Sequence, residues 1–391
     1  MNKFSFLLLS VLFLGFKYAS GQGVIGGQDT SNRTIVTPVA FLTISPDARS
    51  GALGDAGAAL SPDANASYWN PAKLPFAPSK FGMALSVTPW LSKLVNDMYL
   101  SYLTGYYKID DRQAISGSLT YFDLGDIQFT DEVGAPIRDF NSREFAFSGS
   151  YARKLSENLS MGVALRYIHS NLAGNFNFTN TVGQVRAGNT VAGDISLYYT
   201  KDLNISGNDV NFAFGANLSN LGAKISYTTR EEREFIPTNL KIGTGLTFNL
   251  DPYNKVTWLL DFNKLLVPTP DIDPTTGRNR NSDKTFISGA LGSFGDAPDG
   301  FSEEIKEVAL ATGLEYWYND LFAARAGYFT ESREKGNRRY ATFGVGLRYQ
   351  KLGLDFAYLV PMQRQNPLAE TLRFTLHLKF GQNEGTDVPV E

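Results

Sequence analysis

Near the C-terminus Leu372, Phe374, Leu376, Leu378 and Phe380 alternate without a break with Arg373, Thr375, His377 and Lys379. Successive side chains of a strand point to opposite faces, so this segment carries one hydrocarbon face and one polar face. The period returns along the chain. Ala341, Phe343, Val345, Leu347 and Tyr349 alternate with Thr342, Gly344, Gly346 and Arg348. Met161, Val163, Leu165 and Tyr167 alternate with Gly162, Ala164, Arg166 and Ile168, and Val256, Trp258, Leu260 and Phe262 with Thr257, Leu259 and Asp261. Leu354, Phe356, Tyr358 and Val360 alternate in the same way with Gly353, Asp355, Ala357 and Leu359.

The spacing predicts about fourteen such strands, each long enough to cross a bilayer at ~45° tilt. They lie near 81–91, 98–108, 113–123, 143–153, 159–169, 191–201, 209–219, 239–249, 255–264, 306–317, 321–331, 340–350, 352–361 and 370–380. The breaks between them alternate in length. Ile109–Arg112, Lys154–Asn158, Asp202–Asn208, Asp251–Asn254, Tyr318–Asp320 and Gln350–Lys351 are short. Leu124–Ser142, Ser170–Thr190, Asn220–Thr238 and Leu265–Ile305 are long, with Glu331–Arg339 and Pro361–Ala369 intermediate. A soluble sandwich has no reason to sort its connections by parity, whereas an outer-membrane barrel places tight turns in the periplasm and long loops outside. The expected fold is therefore an all-β membrane protein: an antiparallel transmembrane β-barrel over 81–380, with a periplasmic polar tail at 381–391. An even strand count puts both mature termini in the periplasm.

Composition agrees. Aromatic residues make up 13% of the chain, with 28 Phe and 19 Tyr, while the mean hydropathy is only −0.18. Apolar lipid-facing residues diluted by polar lumen and loop residues give that mixture. Past the N-terminus no run approaches the ~18 consecutive apolar residues of a spanning helix. At the N-terminus Lys3, the apolar run Phe4–Phe16 and the small residues Ala19-Ser20-Gly21 predict a signal peptide over 1–21 and a mature chain from Gln22.

Residues 22–80 do not alternate. They hold Gly51-Ala52-Leu53-Gly54-Asp55-Ala56-Gly57-Ala58-Ala59, Pro62-Asp63-Ala64-Asn65-Ala66 and Tyr68-Trp69-Asn70-Pro71-Ala72-Lys73-Leu74. Such a density of small residues permits close backbone packing, and Asn70-Pro71 initiates a turn. A small plug or hatch is expected here, with Asp47, Arg49, Asp55, Asp63, Trp69, Asn70, Pro71 and Ala72 as its structural motif. The 51–57 stretch lacks the Lys-Ser/Thr ending of a phosphate loop, so plug packing is the better account.

The stretch 40–74 is similar to the N-terminal signature of the FadL-like barrel superfamily, which places an Asn-Pro-Ala element after a small-residue plug segment. More narrowly, Phe41-Leu42 and Ile44 leading to Asp47-Ala48-Arg49, followed by Tyr68-Trp69-Asn70-Pro71-Ala72-Lys73-Leu74, resembles the PorV family. Related barrels such as PorQ share part of the pattern. The resemblance implies a non-enzymatic outer-membrane component of the type IX secretion system of Bacteroidetes. It implies association with the giant translocon barrel (Sov or SprA), binding of the C-terminal signal domains of secreted cargo, and delivery to the attachment complex containing the PorU sortase. The alternative is a FadL-like channel for hydrophobic small molecules, and a surface hydrolase is a third reading.

Little else points to chemistry. The absence of cysteine excludes thiolate metal sites and Cys nucleophiles, and the net charge of −3 gives no nucleic-acid signal. His169 and His377 stand apart from clustered carboxylates in sequence, a poor metal set and a poor catalytic one. No cofactor or metal is expected. Asp271-Ile272-Asp273 lacks the remaining calcium-ligand spacing, and Arg230–Glu234 reads as a solvated loop face. The long connections do contain Phe129, Phe140, Phe176, Phe178, Phe235, Phe286, Phe294 and Phe301. Exposed aromatics mark contact sites, so these are the candidates for partner or cargo binding, at least half of them expected to pack under their own loops.

Overall fold

The computed structural model describes residues 34–130, 133–172, 174, 176–178, 183–205, 207–227, 233–271, 279–363 and 371–382. The signal peptide expected over 1–21, residues 22–33 of the expected plug segment, Arg230–Glu232, Ile272–Asp273 and the tail beyond 382 lie outside the described residues.

The alternating segments form the strands β1 (Ser79–Pro89), β2 (Tyr99–Lys108), β3 (Gln113–Thr130), β4 (Pro136–Lys154) and β5 (Leu159–Asn171), then a small outboard hairpin of β6 (Phe176–Phe178) and β7 (Gly183–Val185). The wall resumes with β8 (Gly188–Ile205), β9 (Asn208–Gly222), β10 (Asn239–Asn249), β11 (Asn254–Leu265), β12 (Val308–Tyr318) and β13 (Phe322–Thr330). It ends with β14 (Arg339–Tyr349), β15 (Leu352–Pro361) and β16 (Leu372–Gln382). All but β6 and β7 join one closed antiparallel barrel of 14 strands, with β1 paired to both β2 and β16. The seam runs from Ser79 opposite Gln382 through Phe81 opposite Phe380 to Val87 opposite Phe374.

Burial follows the predicted period. Along β5, Met161, Val163, Leu165 and Tyr167 are exposed, while Gly162, Ala164, Arg166 and Ile168 are buried. On β14, Phe343, Val345 and Leu347 face outward against buried Thr342, Gly344 and Gly346. In water such an apolar exterior would be unstable; in a bilayer it is the solvated surface.

The connection predicted as a loop over Leu124–Ser142 is a correction. β3 runs on to Thr130 and β4 begins at Pro136, and the two stay paired from Asp126 opposite Asn141 to Thr130 opposite Pro136. A register shift between Asp123 and Asp126, with Gly125 at φ 76°, separates this extension from the wall below. Above the wall both faces meet water, so the alternation that marks a strand lapses while the backbone pairing continues.

Residues 34–78 lie inside the ring. After a 3-10 turn at Ala40–Thr43 come two single-turn helices, α1 (Ala48–Gly51) and α2 (Ala66–Trp69), and a second 3-10 segment, Pro71–Phe76. Asp47 caps α1 by accepting from the Ser50 amide at 2.8 Å. Small residues let this backbone lie directly on the wall. Gly54 adopts φ 69°, and a Cβ there would sit 2.6 Å from the Tyr328 amide nitrogen, while one at Gly313 would sit 2.6 Å from the Leu53 Cβ. Leu53 itself is fully buried with Ala56, Leu60, Leu259 and Phe329.

Leu165, 77% exposed at the middle of β5, tests the bilayer setting. Leu165→Arg is expected to cost about 2–4 kcal/mol if it lies near the midplane, read as loss of stability in equilibrium unfolding from liposomes, with Leu165→Met close to wild type.

Candidate functional site

The plug is fastened to the wall by a chain of buried charges. Arg49, on α1, forks onto Glu315 of β12, Nε to Oε2 at 2.9 Å and Nη2 to Oε1 at 2.7 Å. Its Nη1 also reaches Asp63 at 3.0 Å and the Ser61 carbonyl at 3.1 Å. Glu315 accepts in turn from Arg325 of β13 at 2.7 Å, and Arg325 donates to Asp355 of β15 at 2.8 Å. Asp355 then accepts from Arg348 of β14 at 2.7 Å and lies 2.7 Å from His377 Nε2 on β16. Opposite charges therefore alternate from the plug across β12 to β15, and His377 of β16 is a hydrogen-bond partner at the end of that chain rather than an isolated imidazole.

The other motif residues spread the attachment around the ring. Asp47 Oδ1 accepts from Trp69 Nε1 at 2.5 Å. Asp55, in the left-handed region at φ 64°, accepts from Tyr340 at 2.5 Å and pairs with Arg373 at 3.1 Å. Asn70 donates to the carbonyls of Ala58 at 3.1 Å and Leu197 at 2.9 Å, and its Oδ1 accepts from the Ala72 amide at 3.1 Å. Pro71 occupies the first position of the following 3-10 segment, where its missing N–H costs nothing. Ala72 also donates to Ser196 at 3.1 Å, and its carbonyl accepts from Ser160. Asn217 donates to the Trp69 carbonyl at 3.0 Å, and Asp261 accepts from the Gly57 and Ala58 amides at 2.8 and 2.9 Å.

Sequence reasoning named the plug half of these contacts and missed the wall half. Glu315, Arg325, Asp355, Asp261 and Ser196 do carry a signal, because each stands on the inward row of its strand between outward apolar neighbours. A search for opposite charges on inward rows would have found Glu315, Arg325 and Asp355.

Above the plug lies a cavity of about 400 Å³, lined by Tyr68, Trp69, Arg166, Asn217, Lys241 and Arg338 among others. Lys241 Nζ sits 4.3 Å from the centre of the Trp69 ring and donates to the Asp55 carbonyl at 3.2 Å. The β11–β12 connection flanks this mouth with helices α3 (Phe286–Gly292) and α4 (Phe301–Lys306). Here Lys335 pairs with Glu303 at 2.6 Å and Glu307 at 2.8 Å, and Lys264 with Glu304 at 2.9 Å and Glu307 at 2.6 Å. Burial acts to raise the Glu307 carboxyl, but hydrogen bonds from Lys264, Lys335 and Thr269 outweigh it and hold it below the ordinary glutamate range.

The loop phenylalanines divide. Phe129 and Phe140 stand on the extension of β3 and β4, flanking Arg138, whose guanidinium is 5.1 and 5.3 Å from the two ring centres. Phe235 is half-buried, with Lys224 Nζ of its own connection 4.0 Å from its ring centre and Gly289 of the neighbouring β11–β12 connection against its edge. Phe286 is half-buried on α3, whereas Phe294 and Phe301 are exposed. Phe176 and Phe178 lie on β6, and their side chains fall outside the described residues.

A closed 14-stranded antiparallel wall around an N-terminal helical plug defines a plugged β-barrel, the fold of the monoaromatic hydrocarbon channels. The chain resembles the TodX deltaS2S3 mutant monoaromatic hydrocarbon channel at 13% identity and TM-score 0.51, over 85% of this chain and 99% of that one. It resembles the Ralstonia pickettii toluene transporter TbuX at 13% identity and TM-score 0.50, over 85% and 98%. A Pseudomonas aeruginosa FadL homologue aligns at 12% identity and TM-score 0.44, over 87% and 99%. At these identities the likeness is one of fold alone. No curated protein sequence matches the chain. Residues 27–272 match the family described as type IX secretion system protein PorV, and the chain belongs to that family.

Two outcomes follow from the site. Arg49→Met removes one partner from a buried ion chain, a change that costs about 3–5 kcal/mol; the expected result is a lowered melting point and new protease cleavage within 34–78, only partly rescued by Arg49→Lys, which lacks the fork. Because the Glu307 carboxyl is held low, its stabilisation of the mouth is fully present above the ordinary glutamate pKa and lost as pH falls through the lowered value. Hydrogen exchange over 301–307 should accelerate in acid on that schedule, and Glu307→Gln should flatten the response.

Proposed function

We propose that this chain is a non-enzymatic cargo carrier of type IX secretion, docking exported proteins by their C-terminal signal domains at its long-loop end. It passes them from the giant translocon barrel (Sov or SprA) to the attachment complex containing the PorU sortase. In this reading the long loops face the cell exterior, both mature termini are periplasmic, residues 1–21 are a signal peptide, and 22–80 form the plug of the barrel that follows.

Family membership supplies the secretion setting. The observation that favours docking over conduction is the attachment of the plug around the ring. It is bonded to Thr104 on β2, Ser160 on β5, Ser196 on β8, Asn217 on β9, Asp261 on β11, Glu315 on β12, Thr342 on β14 and Thr375 on β16. Opening a passage would break many of these contacts at once. The alternative, a channel for hydrophobic small molecules, draws on the fold of the monoaromatic channels and on the apolar part of the cavity lining, Leu42, Trp69, Leu265 and Phe329, which stands beside Arg166, Asn217, Lys241 and Arg338. Phe129 and Phe140, raised above the wall on the β3–β4 extension, are the loop aromatics best placed to meet a partner there.

Affinity purification of the tagged full chain from native membranes, followed by mass spectrometry, is expected to recover a very large barrel protein and cargo bearing the C-terminal signal. Deletion of the gene is expected to abolish export of such cargo, and Phe129→Ser with Phe140→Ser to reduce its recovery. Undiminished export in the deletion strain would overturn the reading.

A further inference from the structure

The β11–β12 connection sorts its side chains by chemistry. On α4, Glu303 and Glu304 are buried, with Glu307 just beyond, all in the ion pairs with Lys264 and Lys335. Those pairs fix the orientation of the helix, and its opposite face then turns Phe301 and Ile305, four residues apart, outward; Phe301 is 79% exposed. On α3 the pattern repeats, with Gly289 and Ala290 buried and Ile287 and Leu291 exposed. Phe294, between the helices, is exposed as well. One connection thus presents five large apolar side chains, and on α4 the ion pairs of Glu303 and Glu304 keep Phe301 and Ile305 from rolling inward.

Beneath the connection lies a groove of about 280 Å³. Its floor is Ile242 of β10 and Phe262 of β11, which are direct cross-strand partners. Both belong to the outward apolar row of the wall, the row that includes Trp258 on β11. Phe294, Phe301 and Ile305 line its other side. The charged groups at its edge, Lys264 and Glu304, are already paired with each other at 2.9 Å. The groove is therefore on the lipid side of the barrel, not in its mouth, and its floor is continuous with the hydrocarbon-facing belt.

We infer that the α3–α4 connection is a membrane-interface clamp: Phe294, Phe301 and Ile305 enter the leaflet on the long-loop side, and the groove holds an acyl chain of a lipid in that leaflet. Large apolar side chains displayed on one face of a surface helix bury in the boundary between headgroups and acyl chains. The lining offers hydrocarbon and no unpaired charge, and the volume sits just below the ~300–1,000 Å³ of small-molecule pockets, so it suits a length of chain without its headgroup. The inference depends on the bilayer setting of the barrel and is independent of the cargo reading; α3 and α4 also lie beyond the residues 27–272 matched by the family.

The chain contains no cysteine, so a single introduced thiol takes a spin label at one site. Full chains carrying Phe301→Cys or Ile305→Cys, with Phe262→Cys as the wall reference and Val133→Cys as the water reference, are reconstituted into phosphatidylethanolamine–phosphatidylglycerol vesicles. Relaxation by oxygen and by a water-soluble nickel chelate reports depth. Labels at 301 and 305 are expected to favour oxygen several-fold more than the label at 133 and to match the label at 262. A water-like profile, or shielding from both reagents by a second copy, overturns the clamp. In native mass spectrometry during stepwise delipidation, wild type is expected to retain one lipid that Phe301→Ser with Ile305→Ser has lost, and equal retention overturns the groove assignment. Loss of cargo binding with these lipid signatures intact would count against the secretion role alone.

Discussion

Every peptide group that enters hydrocarbon must find its hydrogen-bond partner within the protein, because the solvent supplies none. This chain meets that demand by pairing β1 with β16, which leaves the sheet without an edge. Most of the remaining architecture follows from that closure. A closed ring of strands gives every residue one of two environments, so outward positions become apolar and inward positions small or polar. A ring of this circumference also encloses a space too wide for its own inward side chains to fill, and the N-terminal segment occupies it.

How the plug is held reflects a balance of large opposing energies. Desolvating Arg49, Glu315, Arg325 and Asp355 is costly, and their mutual pairing roughly repays the cost rather than adding much net stability. Net stabilisation comes instead from burial of residues such as Phe41, Leu53 and Leu74, since each fully buried apolar side chain contributes about 1.5–3 kcal/mol. What the ion chain adds is a single seat. A plug displaced by one residue would leave a carboxylate or a guanidinium unpaired in a dry interior, so the apolar contacts hold the plug in and the charged ones decide where.

Much of this was legible in the sequence because membrane strands obey a strict period. The segments expected at 370–380 and 159–169 match Leu372–Gln382 and Leu159–Asn171 to within two residues at each end, and the parity of the connections fixes which ends share a side. Legibility stops where the period loses its physical cause. Past Gly125 both faces of β3 are wetted, so nothing in the pattern distinguishes Ile127–Thr130 from a loop. Contacts between distant parts of the chain are hidden for another reason. Arg49 and Glu315 are each visible as a charge in a place where charge is expensive, but no local rule says that they meet across 266 positions of sequence. The fate of the loop phenylalanines was equally closed, since Phe235 and Phe301 look alike until the packing of α3 and the ion pairs of α4 are known.

The extension of β3 and β4 has a mechanical side. Its strands are the same strands that form the wall, and their pairing shifts register beside Gly125, where the Asp126 amide is braced by Asp97 at 3.0 Å, and again near the tip between Phe129 and Thr130. A two-stranded ribbon resists bending within its plane far better than out of it, so a load applied at its tip travels down to the joint at its base beside Gly125. The hairpin thus acts as a lever with a built-in pivot, and the sheet below serves as the fixed mount against which it turns.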